Sequence, residues 1–196
     1  RSTLFPYTTL FRSVTAMIAT STAGQGHETL AATVIAEELD MAVEDIRVLH
    51  SDTLTGLPGN TPVASRMAIM LGGAAAGAAR LIRERALAIA AHRLECQPGE
   101  LELKEGHAVC TADPERRLSW GQIAFTAHRY YHLMPPGAEP GLQASYVWEV
   151  PLGGTLPTAD GRVQMYPCYS FAAHIVLATI DPDTGLTDEQ ARTLAE

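Results

Sequence analysis

The chain has 196 residues, a formal net charge of −8 at neutral pH and a hydrophobic fraction of 46%. These values fit one packed domain or two small subdomains, and they exclude a largely disordered chain. No run of Lys and Arg is present, so nucleic acid is excluded as the main partner. The longest uncharged apolar stretch, 67–79, falls well short of the roughly 20 residues that cross a bilayer, so we expect no membrane span.

Residues 1–13 differ from the rest of the sequence. They read RSTLFPYTTLFRS, which lacks the basic and apolar regions of a signal peptide. This segment resembles the translation of a sequencing adapter. We therefore expect it to be non-native, with the native sequence beginning near Val14 and its true start missing.

The native part opens with a predicted strand, turn and helix. Small and β-branched residues predict a strand over 14–20, and the glycines at 24 and 26 predict a turn. An apolar stripe predicts a helix over 27–39. A short strand over 46–50 is expected next, followed by a Gly- and Pro-rich loop over 51–64.

A long helix rich in Gly and Ala is predicted over 65–94. Each glycine within it lowers helix propensity by about 1 kcal/mol relative to Ala. We therefore expect a neighbouring element to approach closely at Gly72, Gly73 and Gly77.

The second half of the chain begins with a predicted hairpin over 101–111 that turns at Glu105 and Gly106. Ser119 is the predicted N-cap of a helix that ends near His132. Two further strands are predicted over 143–150 and 171–180. The acidic segment 186–190 has a helical pattern. Together these elements predict an α+β fold, a mixed sheet with packed helices that include the long Gly/Ala-rich helix.

The three cysteines, Cys96, Cys110 and Cys168, stand at spacings that fit neither a disulfide framework nor a zinc or iron–sulfur site. Isolated thiols are typical of a reducing compartment. We expect them to behave as small buried hydrophobic residues.

The segment most suited to ligand binding is Gly24-Gln25-Gly26, where the first strand runs into the first helix. A helix N-terminus carries unpaired N–H groups and partial positive charge, and flanking glycines allow a phosphate to approach. A Gly-rich turn between a strand and a helix is more often a tight connection without a ligand. His27 either donates to a bound ligand or packs against Gln25, and Glu28 is expected to be a partner of the helix dipole.

Two other histidines have the spacing of metal ligands. His128 and His132 lie four residues apart on a predicted helix, but the glutamate of a zinc-binding HExxH motif and a third ligand are missing. We therefore predict no metal ligand among the residues of this chain.

The order of these motifs is similar to that of a known family. The segments GQGHET, AEEL, DIRVLHSDT, a Gly/Pro loop ending in ASR, and a Gly/Ala helix closing with IAAHRLE resemble the large subunit of the xanthine dehydrogenase, aldehyde oxidase and carbon monoxide dehydrogenase family. The resemblance extends from Val14 to about Gly185. It implies the start of the second molybdenum-cofactor domain over 14–134 and a truncated following subdomain over 135–196.

The resemblance also implies a cofactor and partners. The cofactor is molybdenum held by molybdopterin, in its cytosine dinucleotide form, and the reaction is hydroxylation of an aldehyde, an N-heterocycle or a substrate like carbon monoxide with oxygen from water. The implied partners are an iron–sulfur small subunit and an FAD-binding medium subunit, in a cytoplasmic dimer of heterotrimers. By motif matching, the implied cofactor contacts are Gly24, Gln25, Gly26, His27, Ala64, Ser65 and Arg66.

Two differences from the family's motifs limit which residue roles can be transferred to this sequence. The family's second loop reads like G-T-aromatic-G-S-R, whereas residues 61–66 read TPVASR, so contacts from 61–63 are not carried over. The family's general-base glutamate, in a Gly-Val-Gly-Glu-like motif, has no counterpart before Glu196. We therefore predict no catalytic residue within this chain and no activity from the chain alone. The alternative interpretation is a non-catalytic α+β binding or assembly module.

Overall fold

The fold was established from a computed structural model, which describes residues 13–50, 52, 54, 59, 62–63, 65–150, 157–163, 173–185 and 187–194. The described residues up to Glu149 form one compact unit, and those from Val150 onward form a second. Helices and small sheets are mixed along the chain, so the α+β prediction is confirmed. The predicted segment 1–13 lies outside the described residues, apart from Ser13.

The first unit begins with a β-α-β arrangement. Strand β1 (Val14–Met17) pairs in parallel with β2 (Ile46–Leu49), from Val14 opposite Ile46 to Met17 opposite Leu49. Helix α1 (His27–Leu39) connects them and has the predicted bounds. The predicted first strand is too long, because the ladder ends at Met17 and only the Ile18 N–H continues it, donating to Leu49 O at 3.0 Å.

The long helix α2 spans Met67–Leu94 and packs along α1. It is followed by an antiparallel sheet of β3 (Leu101–Lys104), β4 (His107–Cys110) and β5 (Asp113–Ser119). The predicted turn at Glu105 and Gly106 is confirmed, with φ of 50° and 74°. Strand β5 is not predicted, because its sequence DPERRLS carries four charges and buries only Leu118, as expected for an edge strand.

Helix α3 (Trp120–Arg129) begins at the predicted N-cap. The Ser119 hydroxyl accepts from Gln122 N–H at 3.3 Å, and the Gln122 side chain accepts from Ser119 N–H at 2.9 Å. These reciprocal bonds form a capping box. The helix ends three residues before the predicted His132, and a 3₁₀ turn (Tyr131–Leu133) follows it.

The main core lies between the helices and the three-stranded sheet. Trp120 anchors it, because its buried Nε1–H donates to Leu39 O at the end of α1, at 3.0 Å. Gly106 N–H donates to Asp40 O at 3.1 Å, which holds the β3–β4 turn against the same helix end. Small side chains of α1 and α2 contribute to this core, namely Ala32, Ala36, Ala75, Ala79, Ala86 and Ala90.

Residues 143–150 form no strand, so this predicted strand is wrong. The segment crosses α2 instead. The Arg85 guanidinium donates to Gln143 O at 2.7 Å, and a Cβ placed on Gly73 would lie 2.6 Å from the Trp148 ring. A Cβ on Gly77 would collide with the Tyr146 ring. The expected close approach at Gly73 and Gly77 is therefore made by aromatic side chains.

The second unit contains a β-hairpin. Strand β6 (Ala173–Ile180) pairs antiparallel with β7 (Thr187–Leu194). The helical pattern predicted over 186–190 is wrong, because the chain reverses at Asp181, whose carboxylate accepts from Asp183 N–H at 2.8 Å and Thr184 N–H at 3.2 Å. The start of the predicted strand, 171–172, lies outside the described residues.

Candidate functional site

Two loops leave the same edge of the parallel sheet. Parallel strands have their carboxyl ends at one edge, so the loop after Met17 and the loop after Leu49 both begin there. The two loops touch, because a Cβ placed on Gly59 would collide with the carbonyl group of Ala19. Only a residue without a side chain fits at position 59 as the loops stand.

The helices that follow these loops run parallel to each other. Near their starts, Ala31 of α1 and Leu71 of α2 share one small buried cluster with Ile18. Farther along, the Arg80 guanidinium binds the Glu38 carboxylate with an N–O distance of 2.6 Å. Both helix N-termini therefore lie at the edge of the sheet from which the loops emerge.

The first loop contains the predicted Gly24, Gln25 and Gly26. Gly24 and Gly26 have φ of +100° and +74°, a backbone region that L side chains rarely adopt. No described atom lies within 4 Å of the place where a Cβ would stand at either glycine, so the space in front of the loop is open. The glycines are required by backbone conformation, and they leave room for a ligand.

Gln25 uses its side-chain oxygen within its own loop. Its Oε1 accepts from Ala23 N–H at 2.6 Å and lies 3.4 Å from the Thr22 hydroxyl. An amide side chain has one acceptor oxygen and two N–H donors. Because the oxygen is engaged and the residue is exposed, Gln25 offers an external ligand its N–H donors.

His27 is buried at the first position of α1, with 6% of its surface exposed. Its Nδ1 lies 3.1 Å from Ser21 O. The sequence left two roles open for this residue, and the structure shows a contact within the loop, to the backbone of Ser21 rather than to Gln25.

The second loop delivers Ser65 and Arg66 to the start of α2. The helix begins at Met67 rather than at the predicted residue 65, and Arg66 is its N-cap. Ser65 has φ of 52°, a left-handed conformation that is uncommon for residues other than glycine. Ala64, also predicted as a contact, lies outside the described residues.

Both helices begin with the same order of backbone conformations. Left-handed Gly26 precedes right-handed His27, and left-handed Ser65 precedes Arg66, whose φ and ψ are −92° and −13°. Such alternation turns successive N–H groups toward one point and creates an anion-binding concavity. Gly26 has no side chain that could cap α1, and the Arg66 side chain makes no capping hydrogen bond to α2. The donors at the two helix starts therefore have the chemistry that a phosphate or pyrophosphate group requires.

One acidic residue lies close to these donors and is paired. Glu28 Oε1 is 2.7 Å from His50 Nε2, with 34% and 23% of the two side chains exposed. Sequence reasoning placed Glu28 beside the helix dipole but gave His50 no role, since the two residues are far apart in sequence and have no shared local pattern. The pair connects the end of β2 to the first turn of α1.

The remaining candidates lie elsewhere. His128 Nε2 accepts from Leu142 N–H at 3.3 Å. In the part of the chain that the structure describes, no group of three His, Cys, Asp or Glu residues is placed to hold a metal ion. None of the helices described there combines the length and apolarity needed to cross a bilayer.

The cysteines are not all isolated. The Cys96 thiol donates to Leu94 O at 3.5 Å, and Cys96 and Cys110 are both free. The interaction between the two thiols raises the pKa of Cys96 and lowers the pKa of Cys110. Cys110 is buried as expected, Cys96 is only partly buried, and Cys168 lies outside the described residues.

A separate hollow of about 570 Å³ lies at the opposite end of α1. It is bordered by Asp40, Asp45, Glu105 and Trp120, among others. It contains none of the predicted contact residues. Its carboxylates disfavour an anionic ligand.

Comparison with known proteins places the whole segment in one family. The sequence profile of the molybdopterin cofactor-binding domain matches residues 12–193. The chain is 34% identical over 174 residues to the carbon monoxide dehydrogenase large chain of Afipia carboxidovorans, covering 89% of this chain and 19% of that protein. It is 30% identical over 173 residues to the nicotine 6-hydroxylase large subunit of Paenarthrobacter nicotinovorans, covering 88% and 20%.

Solved structures agree with this assignment. Reconstituted CO dehydrogenase from Oligotropha carboxidovorans matches with a TM-score of 0.68 and 32% identity, over 91% of this chain and 20% of that one. Quinoline 2-oxidoreductase from Pseudomonas putida 86 shares the fold, with a TM-score of 0.64 and 24% identity over 90% and 21% of the two chains. The chain thus spans about one fifth of the length of these proteins. From its sequence and its fold, it belongs to the molybdopterin cofactor-binding domain family.

Proposed function

We propose that this chain is a segment of the large subunit of a molybdenum hydroxylase and that its two loops bind the dinucleotide part of the molybdopterin cofactor. The observation that carries the proposal is the convergence of two helix starts, at Gly26 and Arg66, on one edge of a parallel sheet. Each helix start presents backbone N–H donors, and Gln25 adds side-chain donors. The proposed contacts are Gly24, Gln25, Gly26, His27, Ala64, Ser65 and Arg66.

Electrostatics support an anionic group at this position. Two helix N-termini contribute partial positive charge, and Arg66 adds a full charge at the start of α2. Glu28 would oppose an anion, but its carboxylate faces His50 at 2.7 Å. A dinucleotide form of the cofactor carries a pyrophosphate, which matches a concavity made of N–H groups. We propose the cytosine dinucleotide form.

The bound cofactor would supply the redox chemistry that hydroxylates a carbon centre with oxygen from water. The residues of this chain would hold and orient it. We propose that the general base and the remaining cofactor contacts belong to other parts of a longer subunit. That subunit would act in the cytoplasm with an iron–sulfur small subunit and an FAD-binding medium subunit, as a dimer of heterotrimers, on an aldehyde, an N-heterocycle or a substrate like carbon monoxide.

The test measures molybdenum and released nucleotide in the full-length subunit that carries this segment, purified with its partners from molybdenum-replete cells. We expect about one cytidine nucleotide and one molybdenum per subunit. A subunit without either would instead be a non-catalytic binding or assembly module. Adenine or guanine nucleotide in place of cytidine would overturn the cytosine assignment alone.

Two alanine variants test the loop itself. Gly26→Ala and Gly106→Ala impose the same strain, since both glycines have φ of +74° and no described atom within 4 Å of a new Cβ. We expect Gly26→Ala to lower nucleotide content at least several-fold and Gly106→Ala, in the β3–β4 turn, to leave it unchanged. Equal content in both variants would show that the first loop does not bind the dinucleotide.

A further inference from the structure

His27 is held in one tautomer by its surroundings. Its Nδ1 is 3.1 Å from a backbone carbonyl oxygen, that of Ser21, and a carbonyl can only accept a hydrogen bond. Nδ1 must therefore carry the proton, and in the neutral ring Nε2 carries none. The ring is buried at 6% exposure, so this bond lies where water competes weakly.

The bond closes the first loop. It joins Ser21, where the loop leaves the sheet, to the first residue of α1, and it spans the whole of Gly24-Gln25-Gly26. Inside this closure, Gln25 Oε1 accepts from Ala23 N–H at 2.6 Å. The two bonds together determine where the N–H groups of the loop and the Gln25 amide point.

The next residue ties the loop to its neighbour. Glu28 bonds to His50, the first residue after β2, at 2.7 Å. His27 therefore bonds to the start of the first loop, whereas Glu28 bonds to the start of the second loop. Neither needs to touch a ligand in order to set the shape of the concavity.

We propose that His27 is a positioning residue for the dinucleotide: its Nδ1–H holds the carbonyl of Ser21 and thereby fixes the Gly24–Gly26 donors in their binding arrangement. This inference rests on the proposed function, and it gives His27 a positioning role in addition to the proposed contact. The prediction is specific to one nitrogen atom. A side chain that supplies a donor at the position of Nδ1–H should preserve binding. A side chain that places its donor near the position of Nε2 should not.

Substitution by two amides separates these cases in the full-length subunit. The Asn amide nitrogen falls near the position of Nδ1, and the Gln amide nitrogen falls near Nε2. We expect His27→Asn to retain nucleotide content within about twofold of the wild type and His27→Gln to lose at least tenfold. His107→Gln is the matched control, because His107 Nδ1 also bonds to a carbonyl, Glu105 O at 2.8 Å, in the β3–β4 turn. It should leave nucleotide content unchanged.

The outcomes are distinguishable from failure of the proposed function. A wild-type subunit without nucleotide would refute the proposed function, and this inference with it. Nucleotide in the wild type and equally in His27→Gln would overturn only the role of His27, as would equal losses in the Asn and Gln variants.

A measurement on the wild-type chain covers the case in which the variants do not fold. In ¹⁵N-histidine spectra of the apo chain, recorded under conditions in which imidazole rings are neutral, His27 should carry its proton on Nδ1 and not on Nε2. A protonated Nε2 with a bare Nδ1 would exclude donation to Ser21 O and overturn the inference.

Discussion

The indole ring of Trp148 lies on the backbone of Gly73, so close that a single methyl group at position 73 would stand 2.6 Å from the nearest ring atoms. Gly77, one turn farther along α2, receives the Tyr146 ring in the same way. Four residues rise about 6.0 Å along a helix, which is close to the roughly 6.6 Å that two residues span in a strand-like chain. Gly72, by contrast, has no described atom within 4 Å of a Cβ placed on it. Alanine at position 72 and alanine at position 73 are therefore expected to change the stability in opposite directions.

Gly73→Ala is expected to displace residues 143–149 from α2 and destabilise the chain by about 1–3 kcal/mol, because the added methyl overpacks the contact. Gly72→Ala, where no described atom lies within 4 Å of the new Cβ, is expected to stabilise it by about 0.5–1 kcal/mol through helix propensity. Thermal denaturation followed by tryptophan fluorescence measures both. Stabilisation by Gly73→Ala would show that the indole does not pack there.

The Glu38–Arg80 pair holds the parallel helices in register. Both Nε and a terminal nitrogen of Arg80 bond to Glu38 Oε1, at 2.8 and 2.6 Å, but 62% of the arginine side chain is exposed. Exposed pairs contribute little because water and salt screen them. We expect Arg80→Gln to lower the Tm by no more than about 2–4 °C, and salt at about 0.5 M to remove most of that difference. A double-mutant cycle with Glu38→Gln isolates the pair, and a coupling that does not respond to salt would contradict the surface character of this pair.

Ser119 stabilises the start of α3 through the capping box with Gln122. Ser119→Ala removes the side-chain acceptor and is expected to cost about 0.5–2 kcal/mol in unfolding free energy. Ser119→Asp restores an acceptor and should recover most of the loss. Chemical denaturation provides the measurement, and equal losses in the two variants would assign the effect to something other than capping.

Cys96 and Cys110 are expected to form a disulfide when the chain is treated with glutathione disulfide. Glutathione first joins the more exposed Cys96, and the Cys110 thiolate then displaces it, so that two reduced glutathiones leave for each bond formed. The pKa of Cys96, the thiol that reacts first, is raised, whereas the pKa of Cys110 is lowered. The first step should therefore need a pH above the pKa of an ordinary thiol, about 8.5, whereas the second step should not.

Peptide mass spectrometry without reduction detects the product. Cys96→Ser should abolish the cross-link between residues 96 and 110, whereas Cys168→Ser should leave it intact. A wild-type chain that gains only stable mixed disulfides would show that the two sulfurs cannot reach bonding distance.

Local patterns were sufficient where the structure is built from neighbouring residues. Helix α1 has its predicted bounds because the glycine turn and the apolar stripe both act within a few residues. The Ser119 cap and the Glu105-Gly106 turn are likewise local. In these places, the contacts that form the structure join residues that are close together in the sequence, so the local pattern was enough to predict them.

Longer-range relationships could not be predicted. The strand predicted over 143–150 is wrong because the Tyr146 and Trp148 rings pack on Gly77 and Gly73 of a helix rather than beside another strand. His50 meets Glu28 only because a parallel strand ends beside a helix start. The contact of Gly59 with Ala19 depends in the same way on the tertiary arrangement. The first candidate loop was predicted from its glycines and the helix that follows, and the second through a family resemblance, whereas the bonds that shape them required the structure.

The parallel course of α1 and α2 has an energetic consequence for assembly of the protein. Helix dipoles that run side by side in the same direction repel each other, and the repulsion is strongest where like partial charges gather at the two starts. An anion bound between those starts would relieve it, so loading with a dinucleotide should raise the melting temperature as the free ligand concentration rises. By this reasoning, the chain is less stable when no anion lies between the two helix starts.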